Sequence, residues 1–338
     1  MSYDYAASLS KYPNKGILGL PEVADDDGET EEKIQQLAEL IRNAKHLVIH
    51  TGAGLSTSAG IPDFRGPNGV WTAEKKKRRP PPSKSFTEVI PTVSHMALRK
   101  LVDVGIVKFI ISQNVDGLHL RSGIPPSYVA ELHGNVFRET CRKCRRMYMR
   151  NCPTPTLGMK PTGGICDGVS KRTCRGALVD MVLDWRNKLP EDDLAAAEAH
   201  SSAADLNLVL GSTLQIVPAG ELPFRRQEID STAKTAICNL QTTKFDDKMD
   251  LVIRCKLDAM FLRLMALLNI EIPAYDAKLD PVLTLSSDEY RTHFSRIFQQ
   301  VPMNTDADNL IVVNEKCIDE KPEESDVHNC SVKRLKTE

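Results

Sequence analysis

Residues 50–66, His-Thr-Gly-Ala-Gly-Leu-Ser-Thr-Ser-Ala-Gly-Ile-Pro-Asp-Phe-Arg-Gly, concentrate more reactive and ligand-binding chemistry than any other stretch of the chain. Gly52 and Gly54 let the backbone turn tightly and approach a ligand, and Ser56 and Thr57 suit the start of a helix whose amides and dipole attract a pyrophosphate. That combination predicts a dinucleotide. A glycine-rich turn with no ligand has a similar local pattern, because Thr57 stands where the Rossmann fingerprint has its third glycine and no acidic ribose-binding residue follows at the expected spacing. The continuation adds Asp63, Phe64 and Arg65, a carboxylate, a ring and a guanidinium together just past the phosphate turn. A purely structural loop rarely needs all three.

Two other polar groups follow apolar runs. Gln113-Asn114-Val115-Asp116 comes after Phe109-Ile110-Ile111, and His133 comes after Tyr128–Leu132. Amides, a carboxylate and an imidazole at the C-terminal ends of strands lie where open α/β sheets bind ligands, and an imidazole titrating near neutrality suits taking a proton from a hydroxyl. A third group is sulfur. Cys141-Arg142-Lys143-Cys144, with Cys166 and Cys174, supplies four thiolates for a tetrahedral zinc with no open position, which is a structural rather than a catalytic site. Cys152 is the spare candidate for a ligand, and the gap of residues 167–173 is longer than in a compact zinc ribbon.

The stretch 50–66 resembles the NAD-binding signature of the sirtuins, NAD-dependent protein deacylases and ADP-ribosyltransferases. The resemblance continues through Gln113–His119, Glu131–Asn135, Gly211-Ser212-Thr213-Leu214-Gln215-Ile216 and Asn239-Leu240-Gln241, and covers residues 1–272. The opening, the Trp71 loop and Leu183-Asp184-Trp185 are most similar to the nuclear class IV members, the sirtuin-six branch, which also has a long spacing between its second pair of cysteines.

The resemblance implies residue roles. His133 would be the general base, with Asn114 and Asp116 orienting the ribose and an attacking water and Ser56 beside them. Asp63 and Arg65, with Ser56, would hold the reactive end of NAD, Gln113 would contact the nicotinamide ribose and carboxamide, Ala53, Thr57 and Phe64 would also bind the cofactor, and Trp71 would cover it. Gly211, Ser212, Thr213, Asn239, Gln241 and Leu257 would hold the remainder of NAD. Thr242 stands where the branch has proline and Lys256 where it commonly has an aromatic, both near the adenine. The implied activity is deacylation of protein lysine, a histone deacetylase and long-chain deacylase acting on chromatin and yielding nicotinamide and O-acyl-ADP-ribose. Mono-ADP-ribosyl transfer is one alternative, and a chromatin-bound sensor of NAD or ADP-ribose with weak catalysis is another. Acylated histone tails and nucleosomes are the implied partners, the nucleus the implied location, and DNA repair and transcription regulation the implied setting.

These groups need a scaffold. Ile34, Leu37, Leu40 and Ile41 recur at helical spacing before the strand Leu47-Val48-Ile49, and Ser94 is positioned to cap a helix carrying Ala97, Leu98, Leu101 and Val102. Pro190–Ala204 reads as helix, and Leu206–Leu210, Ala236-Ile237-Cys238 and Leu251-Val252-Ile253 as strands, before an apolar helix from Leu257 to Leu268. Such alternation predicts a Rossmann-like, doubly wound parallel α/β sheet with a small zinc-binding module inserted at about 138–178. The expected division is an N-terminal arm over 1–29, a catalytic domain over 30–272, and a largely disordered tail over 273–338.

The net charge of −1 hides an asymmetry, since residues 273–338 hold 13 acidic against 8 basic side chains and leave the body mildly basic. Lys75–Pro82 fits a solvated loop, the commoner use of a short basic run, or a contact with DNA or a nuclear-import signal. Around the cysteines, Lys171, Arg172 and Arg175 form a basic loop expected to meet the acidic surface of a nucleosome. No apolar run is long enough to span a bilayer and Met1–Leu20 lacks the pattern of a secretory signal, so no membrane partner is expected and nine cysteines favour metal or free thiols over disulfides.

Overall fold

A computed structural model describes residues 5–6, 8–168, 174–285, 291–294 (backbone) and 298–301. The chain divides into two units, Met1–Pro302 and Met303–Glu338, and the second lies outside the described residues.

The first unit is organised around β1 (Leu47–Thr51), all five of whose residues are buried. A strand buried on both faces belongs to the middle of a parallel sheet covered by helices on either side. Ahead of it runs α1 (Asp27–Asn43), capped by the Asp26 carboxylate, which accepts from the Glu29 amide at 2.8 Å. Ile34, Leu37, Ala38 and Ile41 form its buried stripe. After β1 come α2 (Val70–Lys75), α3 (Val93–Asp103), β2 (Val107–Ser112), α4 (Leu118–Arg121) and β3 (Val129–Glu131).

The chain then leaves for a second sheet of β4 (Gly134–Cys141), β5 (Met147–Arg150), β6 (Pro161–Ile165) and β7 (Ala177–Val182). It returns through α5 (Glu191–Ala203), β8 (Leu206–Leu210), β9 (Lys234–Cys238), β10 (Leu251–Ile253) and α6 (Leu257–Leu267).

The large sheet has the order β10-β9-β8-β1-β2-β3, parallel throughout. Strand order reverses between β1 and β8, the doubly wound arrangement expected from the alternation. Side chains alternate across it: Leu47 and Ile49 join the core beneath α1, α3 and α6, while Val48 joins Phe109, Ile111 and the Ala196–Ala197 face of α5.

The second sheet is antiparallel, ordered β11-β5-β4-β7-β6, with β11 at Arg291–Phe294. Only Leu132 and His133 separate β3 of one sheet from β4 of the other. Gly134 makes that crossing feasible, with φ of +90° and a hypothetical Cβ only 1.6 Å from the Met181 carbonyl oxygen. No side chain fits there.

Three expectations change. The cap of α3 is Thr92, which forms a reciprocal capping box with His95, while the Ser94 hydroxyl and amide go to Asp258 of α6 at 2.5 and 2.9 Å. Tertiary contact takes the residue that local pattern marks as a cap. Trp71 stands on a short helix rather than a loop. The largely disordered tail does not begin at 273. Asp280 is fully buried and ion-paired with buried Arg121 at 2.8 Å, it accepts from the Tyr275 hydroxyl at 2.7 Å, and Val282 sits in the core beside Phe137. A carboxylate and an apolar side chain supply little periodicity, yet both are anchored.

Candidate active site

Five loops leave the C-terminal ends of β1, β2, β3, β8 and β9 and enclose one cavity of about 680 Å³. Ligands collect there in open α/β folds, and this volume suits a dinucleotide-sized occupant. After β1, residues Ala53–Ala59 form a 3₁₀ helix rather than the α-helix expected from Ser56 and Thr57. The reason is a close approach of loops. The Gly54 amide donates to the Gly211 carbonyl at 2.9 Å, and a Cβ on Gly52 would lie 2.7 Å from that same oxygen. The two glycine loops touch at the switch point between β1 and β8, leaving a side-chain-free cradle at the cavity floor.

Ser56, Asn114 and Asp116 meet on one wall. The buried Ser56 hydroxyl donates to Asp116 Oδ2 at 2.7 Å, and the Asn114 amide nitrogen donates to the Gly52 carbonyl at 3.0 Å and to Ser56 Oγ at 3.4 Å. Burial raises the Asp116 pKa, opposed by the Leu118 amide and the Ser56 hydroxyl. Gln113 reaches across to Ser212 Oγ at 3.2 Å, tying the loop after β2 to the loop after β8.

His133 lines the same cavity, with Nδ1 2.9 Å from the Gln113 carbonyl oxygen. A carbonyl only accepts, so Nδ1 carries the proton and Nε2 of the neutral ring is the basic nitrogen. Burial lowers the His133 pKa, the Gln113 carbonyl opposes this, and Arg65 adds to it.

At the other wall, Asp63 accepts from the Gly66 amide at 3.1 Å, and burial pushes its pKa up to about 6. Arg65 donates to the Lys15 carbonyl at 2.9 Å and lies 4.8 Å from the centroid of Trp71. Its pKa falls to about 10 through burial, which leaves the guanidinium cationic at neutral pH. Phe64, Trp71 and Trp185 form an aromatic ladder, with centroids 4.6 Å apart for the first pair and 5.2 Å for the second. The buried Trp71 indole N–H has no protein acceptor among the described residues. An unpaired buried donor on a cavity wall calls for a ligand acceptor.

Ala53, Gly211, Ser212, Thr213, Asn239 and Gln241 also line the cavity. Two predicted residues do not. Thr57 is exposed with its hydroxyl returned to the Gly54 carbonyl at 3.0 Å, because the 3₁₀ turn folds it back on its own backbone. Leu257 packs into the core with Met260 and Phe261 at the start of α6.

The resemblance implies that the N-terminal arm over 1–29 helps the active site, but sequence reasoning named none of the residues with which it builds a cavity wall. Tyr5, Leu9, Tyr12 and Asn14 line the cavity, Tyr12 stacks on Trp185 at 4.6 Å, and the Ser10 hydroxyl donates to Asp184 at 2.5 Å. A usable signal existed, since aromatics are 5% of the chain and three tyrosines fall within its first twelve residues.

Away from this cavity, the Sγ atoms of Cys141, Cys144, Cys166 and Cys174 all lie within 4.8 Å of one another. The Cys141–Cys174 and Cys144–Cys166 separations are 3.7 and 3.6 Å. Zinc–sulfur bonds of about 2.3 Å in a tetrahedron require sulfurs about 3.8 Å apart, so the four thiolates fit one zinc ion. Cys152 lies outside the cluster and accepts from Arg150 instead. Lys171 and Arg172 of the expected basic loop lie outside the described residues, while Arg175 is exposed.

Comparison with known proteins agrees with this geometry. Residues 81–218 match the profile of the Sir2 family. The NAD-dependent protein deacetylase Sirt6 of Drosophila melanogaster is 50% identical over 285 residues, covering 83% of this chain and 89% of that one. The NAD-dependent protein deacetylase sirtuin-7 of Homo sapiens is 39% identical over 276 residues, covering 79% of this chain and 67% of that one. Among solved structures, a Sir2 variant with deacetylated p53 peptide and 3'-O-acetyl ADP-ribose superposes with a TM-score of 0.55 at 30% identity, covering 70% of this chain and 99% of that one.

Proposed function

Because the chain belongs to the Sir2, or sirtuin, family, we propose that it removes acyl groups from protein lysines with NAD as co-substrate, and that His133 is the base on which the reaction turns. The protein is an enzyme, its co-substrate is NAD, and its four cysteines form the site of one structural zinc. The observation that carries the reading is the tautomer of His133, whose proton is committed to the Gln113 carbonyl and whose Nε2 is the free base at the cavity wall.

NAD, when bound, supplies an electrophilic anomeric carbon with nicotinamide as its leaving group. The chain's residues prepare that chemistry. Gln113, Asn114 and Asp116 orient the ribose, while Ser56 fixes the Asp116 carboxylate. Phe64, Arg65 and Trp71 cover the reactive end and exclude water, and the glycine cradle at Gly52, Gly54 and Gly211 admits the pyrophosphate. Ser212, Thr213, Asn239 and Gln241 hold the adenosine end. The acyl oxygen would displace nicotinamide at the anomeric carbon, His133 Nε2 would take the proton of a ribose hydroxyl as that hydroxyl attacks the former acyl carbon, and one water would add there as the bond to the lysine nitrogen breaks. Nicotinamide, free lysine and O-acyl-ADP-ribose are the products of this scheme.

Leu183, Asp184 and Trp185, immediately beyond β7, line the cavity and suit an extended acyl-lysine peptide lying beside them. The higher identity to the fly Sirt6 than to the human sirtuin-7 supports the sirtuin-six branch. Exposed Arg142, Lys143 and Arg145 beside the zinc centre support histone and nucleosome partners, and with them a nuclear, chromatin-bound role. We read residues 30–272 as the catalytic domain, with its anchoring continued through 285.

Mass spectrometry of acetylated and long-chain-acylated histone-tail peptides incubated with and without NAD tests the proposal. O-acyl-ADP-ribose is expected only with NAD and wild-type protein, not with His133→Tyr. Intact peptides together with ADP-ribosylated protein would move the assignment to a transferase.

A further inference from the structure

Seven cysteines lie among the described residues, and four of them form the zinc cluster. Of the other three, Cys238 and Cys255 face each other with Sγ atoms 3.8 Å apart. Cys238 is the last residue of β9 and is fully buried; Cys255 follows β10 by two residues and is half-buried, within reach of a small solute. The parallel register sets Cys238 beside Ile253, which brings Cys255 round to it at the strand ends. Neither thiol belongs to a metal-ligating group among the described residues.

The pair adjoins the cavity. Asn239, next to Cys238, lines it and donates its amide to the Ile253 carbonyl at 3.1 Å. Arg254, next to Cys255, donates to the carbonyls of Asn239 and Gln241 at 2.7 and 2.8 Å, and its amide is held by Asp25 at 2.7 Å. Any movement of the two sulfurs towards each other pulls on both sides of this clamp.

We propose that Cys238 and Cys255 are a modification site, a disulfide formed by hydrogen peroxide and reversed by thiols, whose closure weakens dinucleotide binding in the adjoining cavity. Cys255 reacts first, being the more accessible. The hydrogen bond from Cys238 lowers its pKa, with burial and Asp25 opposing and Lys33 assisting. Its thiolate attacks one peroxide oxygen, the O–O bond breaks, and the departing hydroxide takes a proton to leave as water. The Cys255 sulfenic acid is then attacked by the Cys238 sulfur, the S–O bond breaks, and a second water leaves as the S–S bond forms. Two thiols lose two electrons in total and one peroxide gains them.

A disulfide needs sulfurs about 2.05 Å apart, so closing the observed 3.8 Å gap takes about 1.8 Å of movement at the two strand ends. The effect on the cofactor rests on the cavity being the NAD site; formation of the disulfide does not.

The experiment treats the full-length, zinc-loaded protein with hydrogen peroxide, alkylates free thiols, maps the peptides, and measures NAD affinity by calorimetry before oxidation, after it and after dithiothreitol. The expected result is a Cys238–Cys255 cross-linked peptide with zinc retained, and NAD affinity lowered roughly tenfold and restored by the reductant. Cys255→Ser should bind NAD as the reduced wild type does and lose the response, and Cys238→Ala should lose it as well. Oxidation confined to the zinc cysteines, or Cys255 sulfinic acid with Cys238 still reduced, would overturn the proposal. A cross-link that leaves NAD affinity unchanged would overturn its regulatory half. Reduced protein that binds no NAD would refute the cavity assignment instead, while the peptide map still decides the disulfide.

Discussion

At His133 one hydrogen bond determines which nitrogen can act. Because Nδ1 donates to the Gln113 carbonyl, the ring is a base only at Nε2, and burial keeps the neutral form available below the ordinary imidazole pKa of 6.5. A depressed pKa means that activity persists as pH falls to 6.5 and is lost only below it. The acid limb of kcat/KM should therefore report a pKa under 6.5, and a limb at 6.5 or higher would contradict the assignment. His133→Tyr should lower kcat by about 10²- to 10⁴-fold, the usual worth of a positioned general base. The histidine's prominence was legible in the sequence because it follows a strand. Its tautomer was not, because the carbonyl that fixes it belongs to a residue twenty positions earlier.

At the level of elements, the small sheet is held at one end by the cysteine cluster and at the other by the crossing at Gly134. Cys141 ends β4, and Cys174 lies three residues before β7. A structural metal there contributes folding free energy directly. Cys166→Ser should reduce bound zinc from about one ion per chain to near none and lower the melting temperature, since three thiolates leave a ligand position open. Metal analysis and a thermal melt check this, and full zinc retention would remove Cys166 from the ligand set. The quartet was readable from residue type and spacing, since few other uses exist for four such cysteines. The cap of α3 was misread for a physical reason: Thr92 and Ser94 both carry capping hydroxyls, serine being the better capper, and Asp258, 164 residues from Ser94, takes that serine away.

The whole molecule carries an unusual set of buried neutral histidines. Burial pushes the pKa values of His46, His50 and His119 down to about 4, with His200 contributing at His46 and the Asn207 hydrogen bond opposing at His50. The unfolded chain protonates these groups near 6.5 and the folded chain near 4, so between those values the unfolded state binds more protons. Their contribution to stability is fully present above pH 6.5 and is lost as pH falls towards 4. Urea unfolding should give a lower midpoint at pH 5 than at pH 7.5, and equal midpoints would mean that these rings titrate normally when folded. Arg121 and Asp280 add a fully buried ion pair joining α4 to the segment after α6. Removing one partner would leave an uncompensated buried charge.

The sequence by itself determined the parallel core, the glycine cradle, the polar residues at strand ends and the metal quartet, because each is written in local periodicity or in residue types with few other uses. Tertiary structure alone decided that Gly54 touches Gly211, that Thr57 turns away and Leu257 goes into the core, and that Tyr5 and Tyr12 complete the cavity wall. It also brought Cys238 and Cys255 together from adjacent strands. Apart from the local turn at Thr57, each of these is a contact between separate elements, set by strand order and loop approach, which leave no periodic trace in the sequence.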